Sequence, residues 1–131
     1  MSTVAAIDEP VVSSWSAKPV SSHECNQSLQ AVQDALYVLN GKWKLPIIIA
    51  LDNGASRFGE IQRAVNGITP RVLSKELKEL ELNEFVVRRV YPTTPVTIEY
   101  ELTEYSTTLH SVIEALRVWG IQHRERILKR A

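Results

Sequence analysis

The sequence predicts a mainly α protein carrying one small β hairpin. Apolar residues recur at helical spacing from about Asn26 to Leu82. The repeat then drops to two residues on either side of Pro92-Thr93-Thr94-Pro95, and a helical repeat returns after Thr103. With 131 residues, 44% of them apolar, the chain can build one real core and is short for two ordinary domains.

Residues 1–24 are rich in Ser and Val, contain Pro10 and Pro19, and have no helical repeat. They are read as an arm, disordered unless docked, because they bury too little apolar surface to offset ordering entropy. Trp15 is the residue there able to anchor it. The domain proper is expected over 25–131.

The first helix is expected from about Asn26, with Leu29, Val32, Leu36 and Leu39 on one face and Asn40-Gly41 as its stop. A nearly all-apolar second helix follows over Lys42–Asp52, with Trp43, Ile47, Ile48, Ala50 and Leu51 inward and Pro46 tolerated in the first turn. A third helix, about Arg57–Val65, turns Phe58, Ile61 and Val65 inward and ends at Asn66-Gly67. Thr69 then caps a fourth helix that starts at Pro70, a position needing no backbone donor. On it Leu73, Leu77 and Leu80 form the buried stripe, while Arg71, Ser74, Lys75 and Lys78 form a second, basic stripe at i, i+3, i+4 and i+7. Helices three and four make a helix-turn-helix.

Phe85–Tyr91 and Val96–Leu102 read as the two strands of a hairpin, with Arg88 or Arg89 able to pair with Glu99 or Glu101. Thr103 is expected to cap a last long helix whose stripe is Leu109, Val112, Ile113, Leu116 and Trp119. So apolar a terminal helix calls for a partner. The order of elements is that of a winged helix-turn-helix with extra N- and C-terminal dimerisation helices.

Fifteen Lys plus Arg balance fifteen Asp plus Glu, so a polyanion-binding surface must come from local segregation of charge. The longest apolar run, Leu45–Leu51, is far below a membrane span, and Met1–Pro10 has no basic and apolar tandem; a cytoplasmic location is expected. The single cysteine, Cys25, excludes an intramolecular disulfide. It stands at the approach to the first helix, where the helix dipole favours a thiolate and Glu24 opposes it. His23 lies near Cys25, but His110 and His123 are distant and no metal-ligand spacing occurs. No metal or cofactor is expected. A thiol enzyme would need a base, an orienting carboxylate and an oxyanion loop that are not recognisable here.

Several segments together carry a family resemblance: Leu39-Asn40-Gly41-Lys42-Trp43-Lys44-Leu45, Arg57-Phe58-Gly59-Glu60-Ile61, the run Gly67–Leu77, Ile98–Thr103, and Trp119-Gly120. In order and spacing, the chain from Cys25 to Gly120 resembles the HxlR-type bacterial transcriptional regulators, winged-helix proteins related to the MarR group. The resemblance implies a homodimer joined through its first and last helices, with Leu29, Val32, Leu36, Leu109, Val112, Leu116 and Trp119 at the interface. Such a dimer would bind double-stranded DNA at an inverted-repeat operator. It also implies that Cys25 senses oxidants or electrophiles, as a cysteine at this position does in several members. A small-molecule effector is the other candidate input, and Trp43 and Trp119 could line its cavity. The chain departs from the family pattern at Asn26, Asn40, Glu84, Val96 and Ser106. Glu84 stands where the family has Gly, and would be strained if its backbone needs positive φ.

Arg71, near the start of the recognition helix, is the candidate for a base-edge contact. Ser74, Lys75 and Lys78 are candidates for bases or phosphate, and Thr69, Arg57, Arg63, Arg88 and Arg89 for phosphate. The wing tip is short of charge. The competing reading is a winged-helix protein-interaction module whose basic stripe meets an acidic protein.

Overall fold

The computed structural model describes residues 22–130; the expectations for residues 1–21, including the Trp15 anchor, lie outside them. The chain divides after Val38 into two units.

The first unit contains helix α1, Ser22–Val38. It is already helical at Ser22, four residues ahead of the expected Asn26, so Cys25 lies within the helix instead of before it. No Gly or Pro interrupts Ser22–Asn26, and Glu24 in the first turn suits the positive end of the helix dipole. None of its residues is buried. Leu29, Val32 and Leu36, the expected apolar stripe, are 58%, 56% and 66% exposed.

The second unit is built from α2 (Lys44–Asp52), α3 (Phe58–Ala64), α4 (Pro70–Leu82), strands β1 (Val86–Tyr91) and β2 (Thr97–Leu102), a 3₁₀ turn (Glu104–Leu109) and α5 (His110–Arg130). Helix α2 starts two residues later than expected. Lys42 lies before it, its ammonium over the Trp43 ring at 4.7 Å. Ile47, Ile48, Ala50 and Leu51 of α2 are buried at the centre, and the helix packs on α3, α4 and β2. It closes through Gly54 at φ 112°, whose amide donates to Leu51 O at 3.1 Å while Ala55 N reaches Ala50 O at 3.1 Å. The left-handed residue lets both carbonyls find donors.

Helix α3 is started by a carboxylate: Glu60 Oε1 accepts from the amides of Ser56 and Arg57, each at 3.0 Å. Helix α4 begins as expected, with Thr69 Oγ1 accepting from Val72 N at 3.2 Å. Its C-terminus repeats the Gly54 geometry with an ordinary side chain. Glu84 has φ 67°, Glu84 N donates to Glu81 O at 3.0 Å and Phe85 N to Leu80 O at 3.0 Å. The buried Phe85 and Leu80 provide the apolar contact that accompanies this motif.

β1 and β2 pair antiparallel from Val86↔Leu102 to Tyr91↔Thr97. The base of the hairpin is pinned by Thr103, whose hydroxyl donates to Glu84 O at 2.6 Å and whose amide donates to Phe85 O at 3.0 Å. Phe85 stacks on Tyr105 with centroids 5.2 Å apart.

Thr103 does not cap the long helix directly. Its Oγ1 accepts from Ser106 N at 3.3 Å at the head of the 3₁₀ turn, and α5 starts only at His110. Hydroxyls drive the tighter winding. Ser106, Thr107 and Thr108 each donate to the carbonyl three residues back, at 2.6, 2.7 and 2.8 Å, competing with the α-helical pattern. The turn draws Leu109 into the core at 7% exposure, whereas Val112, Leu116 and Trp119 are 39%, 51% and 61% exposed. Leu109 therefore leaves the expected interface set: its surface is already covered within its own unit. α5 runs on through Gly120 to Arg130 with no buried residue.

Two outcomes are expected. Replacing Glu84→Gly relieves a left-handed backbone that costs an L-residue about 1–2 kcal/mol, against about 0.5–1 kcal/mol of added chain entropy in the unfolded state. A gain of about 0.5–1 kcal/mol in urea unfolding follows. The amides of Ser56 and Arg57 hold the Glu60 carboxyl below its ordinary 4.5, so its contribution is complete above that value and lost as the pH falls through the native one. Glu60→Gln should lower the urea midpoint at pH 7 and narrow the difference between pH 7 and pH 3.

Candidate nucleic-acid interface

Four residues of α4 face the core: Leu73, Glu76, Leu77 and Leu80. Three are the expected leucines, and the fourth is a carboxylate that belongs to the same stripe at i, i+3, i+4 and i+7. Its partner comes from α2. Lys44, 2% exposed, sends its ammonium beneath the recognition helix to Glu76 Oε1 at 2.7 Å and Glu79 Oε1 at 2.6 Å. Asn40 Oδ1 accepts its third hydrogen bond at 3.2 Å. All three donors of the ammonium are used, the condition under which a buried charge is tolerated.

Burial by itself pulls the Lys44 pKa down, but the hydrogen bonds and charges of Glu76 and Glu79 outweigh it and hold the group above its ordinary 10.5. The Glu79 carboxyl is correspondingly lowered, first by Lys44 and further by Lys75. Sequence reading placed Lys44 only within a motif and passed over Glu76. A carboxylate on an otherwise leucine stripe was the available signal, since it demands a buried cation.

The opposite stripe is exposed as expected: Thr69, Arg71, Ser74, Lys75 and Lys78 all face solvent. Arg71 and Lys78 have no ion pair among the described residues, while Lys75 lies 3.4 Å from Glu79. The arginines outside the helix divide likewise. Arg89 donates to Glu101 at 2.9 Å, which raises its pKa, and Arg57 approaches Glu99 at 4.0 Å. Arg63 and Arg88 are exposed and unpaired among the described residues. Of the candidate DNA contacts, Arg71 and Lys78 on the helix, Arg63 before the turn and Arg88 on the wing are thus the cations without an ion pair among the described residues.

A cleft of about 360 Å³ lies between α2 and α5, lined by Ile48, Ile49, Leu102 and Ile113 together with the polar Asp52, Ser106, His110 and Glu114. Neither Trp43 nor Trp119 lines it. Trp119 stacks instead on His123, centroids 4.8 Å apart. Cys25 is exposed on α1. No helix among the described residues is long and apolar enough to cross a membrane.

Comparison with known proteins agrees with this architecture. The HTH-type transcriptional regulator YtcD of Bacillus subtilis is 37% identical over 97 residues, covering 74% of this chain and 77% of the relative. A MarR-family transcriptional regulator from Enterococcus faecalis V583 superimposes with a TM-score of 0.66 at 35% identity, covering 77% of this chain and 92% of that one. The reduced form of the transcriptional regulator YodB from B. subtilis superimposes with a TM-score of 0.62 at 40% identity, covering 69% of this chain and 88% of that one. Diamide-treated and quinone-bound forms of YodB have similar folds. The HxlR-like helix-turn-helix family model matches residues 38–128, a span that holds the winged unit as far as Leu128 of α5 and leaves Cys25 outside. The chain is a helix-turn-helix transcriptional regulator of the HxlR-like family.

Proposed function

We propose that this regulator binds a specific double-stranded operator as a homodimer, each copy placing α4 in a major groove of an inverted repeat. The observation that carries the reading is the two-faced recognition helix: one stripe is buried and charge-satisfied, and the other exposes unpaired Arg71 and Lys78. In this reading Arg71, one residue into the helix, contacts a base edge, and Lys78, two turns further on, contacts phosphate. Ser74 and Lys75 lie between them. Thr69 offers backbone support at the helix start, and Arg63 and Arg88 flank it as phosphate contacts. Arg57 and Arg89, already near carboxylates, have a smaller part.

Dimerisation supplies the second helix about 34 Å away. It is supported by the uncovered apolar stripes, Leu29, Val32 and Leu36 on α1 and Val112, Leu116 and Trp119 on α5.

The input is assigned to Cys25. Its exposure lets reagents reach it, and the similar YodB has been solved after diamide treatment and with a quinone bound. A quinone would accept the Cys25 thiolate in a new S–C bond and rearomatise to the hydroquinone adduct. Diamide would take two electrons from two thiols, leaving a disulfide and the hydrazine. With one cysteine per chain, that disulfide must join two copies. The cleft between α2 and α5 favours a second input, a small apolar ligand.

Arg71→Ala should weaken binding to a duplex of the protein's own upstream region by about 1–3 kcal/mol while leaving random duplex nearly unchanged. Equal losses on both sequences would remove its base-reading role. Lys78→Ala should weaken both and flatten the salt slope by about 0.9. Salt-independent binding to an acidic protein, with no operator affinity, would favour the interaction module. Diamide or a benzoquinone should change the operator affinity of wild type and not of Cys25→Ser; an unmodified Cys25 in the mass spectrum at unchanged affinity would rule the thiol out.

A further inference from the structure

The recognition helix is not basic by composition. Over Pro70–Leu82 it carries Arg71, Lys75 and Lys78 against Glu76, Glu79 and Glu81. Three cations cancel three carboxylates, and no electrostatic attraction to phosphate follows from the helix alone. The compensating charge lies beneath it. Lys44 spends one ammonium on two of those carboxylates, at 2.7 and 2.6 Å.

Glu79 is the critical partner. Its side chain is 36% exposed, it sits at the edge of the basic stripe, and its second oxygen lies 3.4 Å from Lys75. A carboxylate 3.4 Å from the Lys75 ammonium is within a Debye length, about 8 Å, of any phosphate that Lys75 would contact.

We propose that Lys44 is a positioning residue for DNA binding, which it never touches: it turns Glu79 inward, offsets Glu76 and Glu79, and so leaves the exposed stripe net positive. Glu79 is the matching negative determinant, holding Lys75 back from the backbone and limiting sequence-independent attraction. The inference rests on the DNA-binding reading above.

The test compares wild type, Glu79→Gln, Lys44→Met and the triple variant Lys44→Met/Glu76→Gln/Glu79→Gln. Each full-length protein is titrated into random and upstream-region duplexes at equal folded fraction, checked by circular dichroism. Glu79→Gln should bind random duplex more tightly, with a salt slope steeper by up to about 0.9, one phosphate contact. Its advantage then shrinks about 3.5-fold between roughly 50 and 200 mM salt. Lys44→Met should bind both duplexes more weakly with a flatter slope, and the triple variant, in which Lys75 is also free of Glu79 and the charge equals that of Glu79→Gln, should recover the steeper slope of Glu79→Gln. Removing one partner of a buried ion pair can prevent folding, whereas neutralising the whole group is tolerated better. Should Lys44→Met not fold, Glu79→Gln and the triple variant decide. Wild-type slopes in Glu79→Gln, or a triple variant that stays as weak as Lys44→Met, would overturn the proposal and leave Lys44 a purely structural cation. Absence of salt-dependent binding by wild type would overturn the DNA-binding reading itself, and this inference with it.

Discussion

One buried ammonium ties the winged unit together. Lys44 reaches from the first turn of α2 to the underside of α4, and its hydrogen bonds to Glu76, Glu79 and Asn40 leave it little freedom to move. Burying a charge is unfavourable unless every donor is used, so the arrangement selects one rotation of α4 about its axis. That rotation is the one which points Arg71, Ser74 and Lys78 outward. The leucines Leu73, Leu77 and Leu80 supply most of the apolar burial, but leucine packing tolerates small slips that a three-way hydrogen-bonded cation does not.

The same economy of partners governs the surface. Carboxylates occupy Lys75, Arg89 and, at longer range, Arg57, and among the described residues leave Arg71, Lys78, Arg63 and Arg88 without an ion pair. In a chain with zero formal charge, Glu76 and Glu79 are thus drawn to Lys44 beneath the recognition helix while Arg71 and Lys78 stay exposed. Each unit also exposes apolar side chains of its own, Leu29, Val32 and Leu36 on α1 and Val112, Leu116 and Trp119 on α5.

Much of this was legible in one dimension. Thr69, Pro70 and the leucine repeat placed α4, and the change from a helical to an alternating repeat placed the hairpin. Glu84, which stands where the family has Gly, was readable as a point of backbone strain and does take positive φ. The misreadings arose where side chains compete with backbone rules. Hydroxyls at Ser106, Thr107 and Thr108 tightened the turn after Thr103 and carried Leu109 into the core, against its place on an apparent interface stripe. α1 began earlier than its apolar repeat because polar residues without breakers can lead a helix.

The element order, the capped recognition helix and the two faces of that helix follow from residue order alone, because caps, turns and periodicity act over a few residues. Which charges are paired does not. Lys44 and Glu76 are 32 positions apart, and ion pairing depends on distance in space, which the order of residues does not carry.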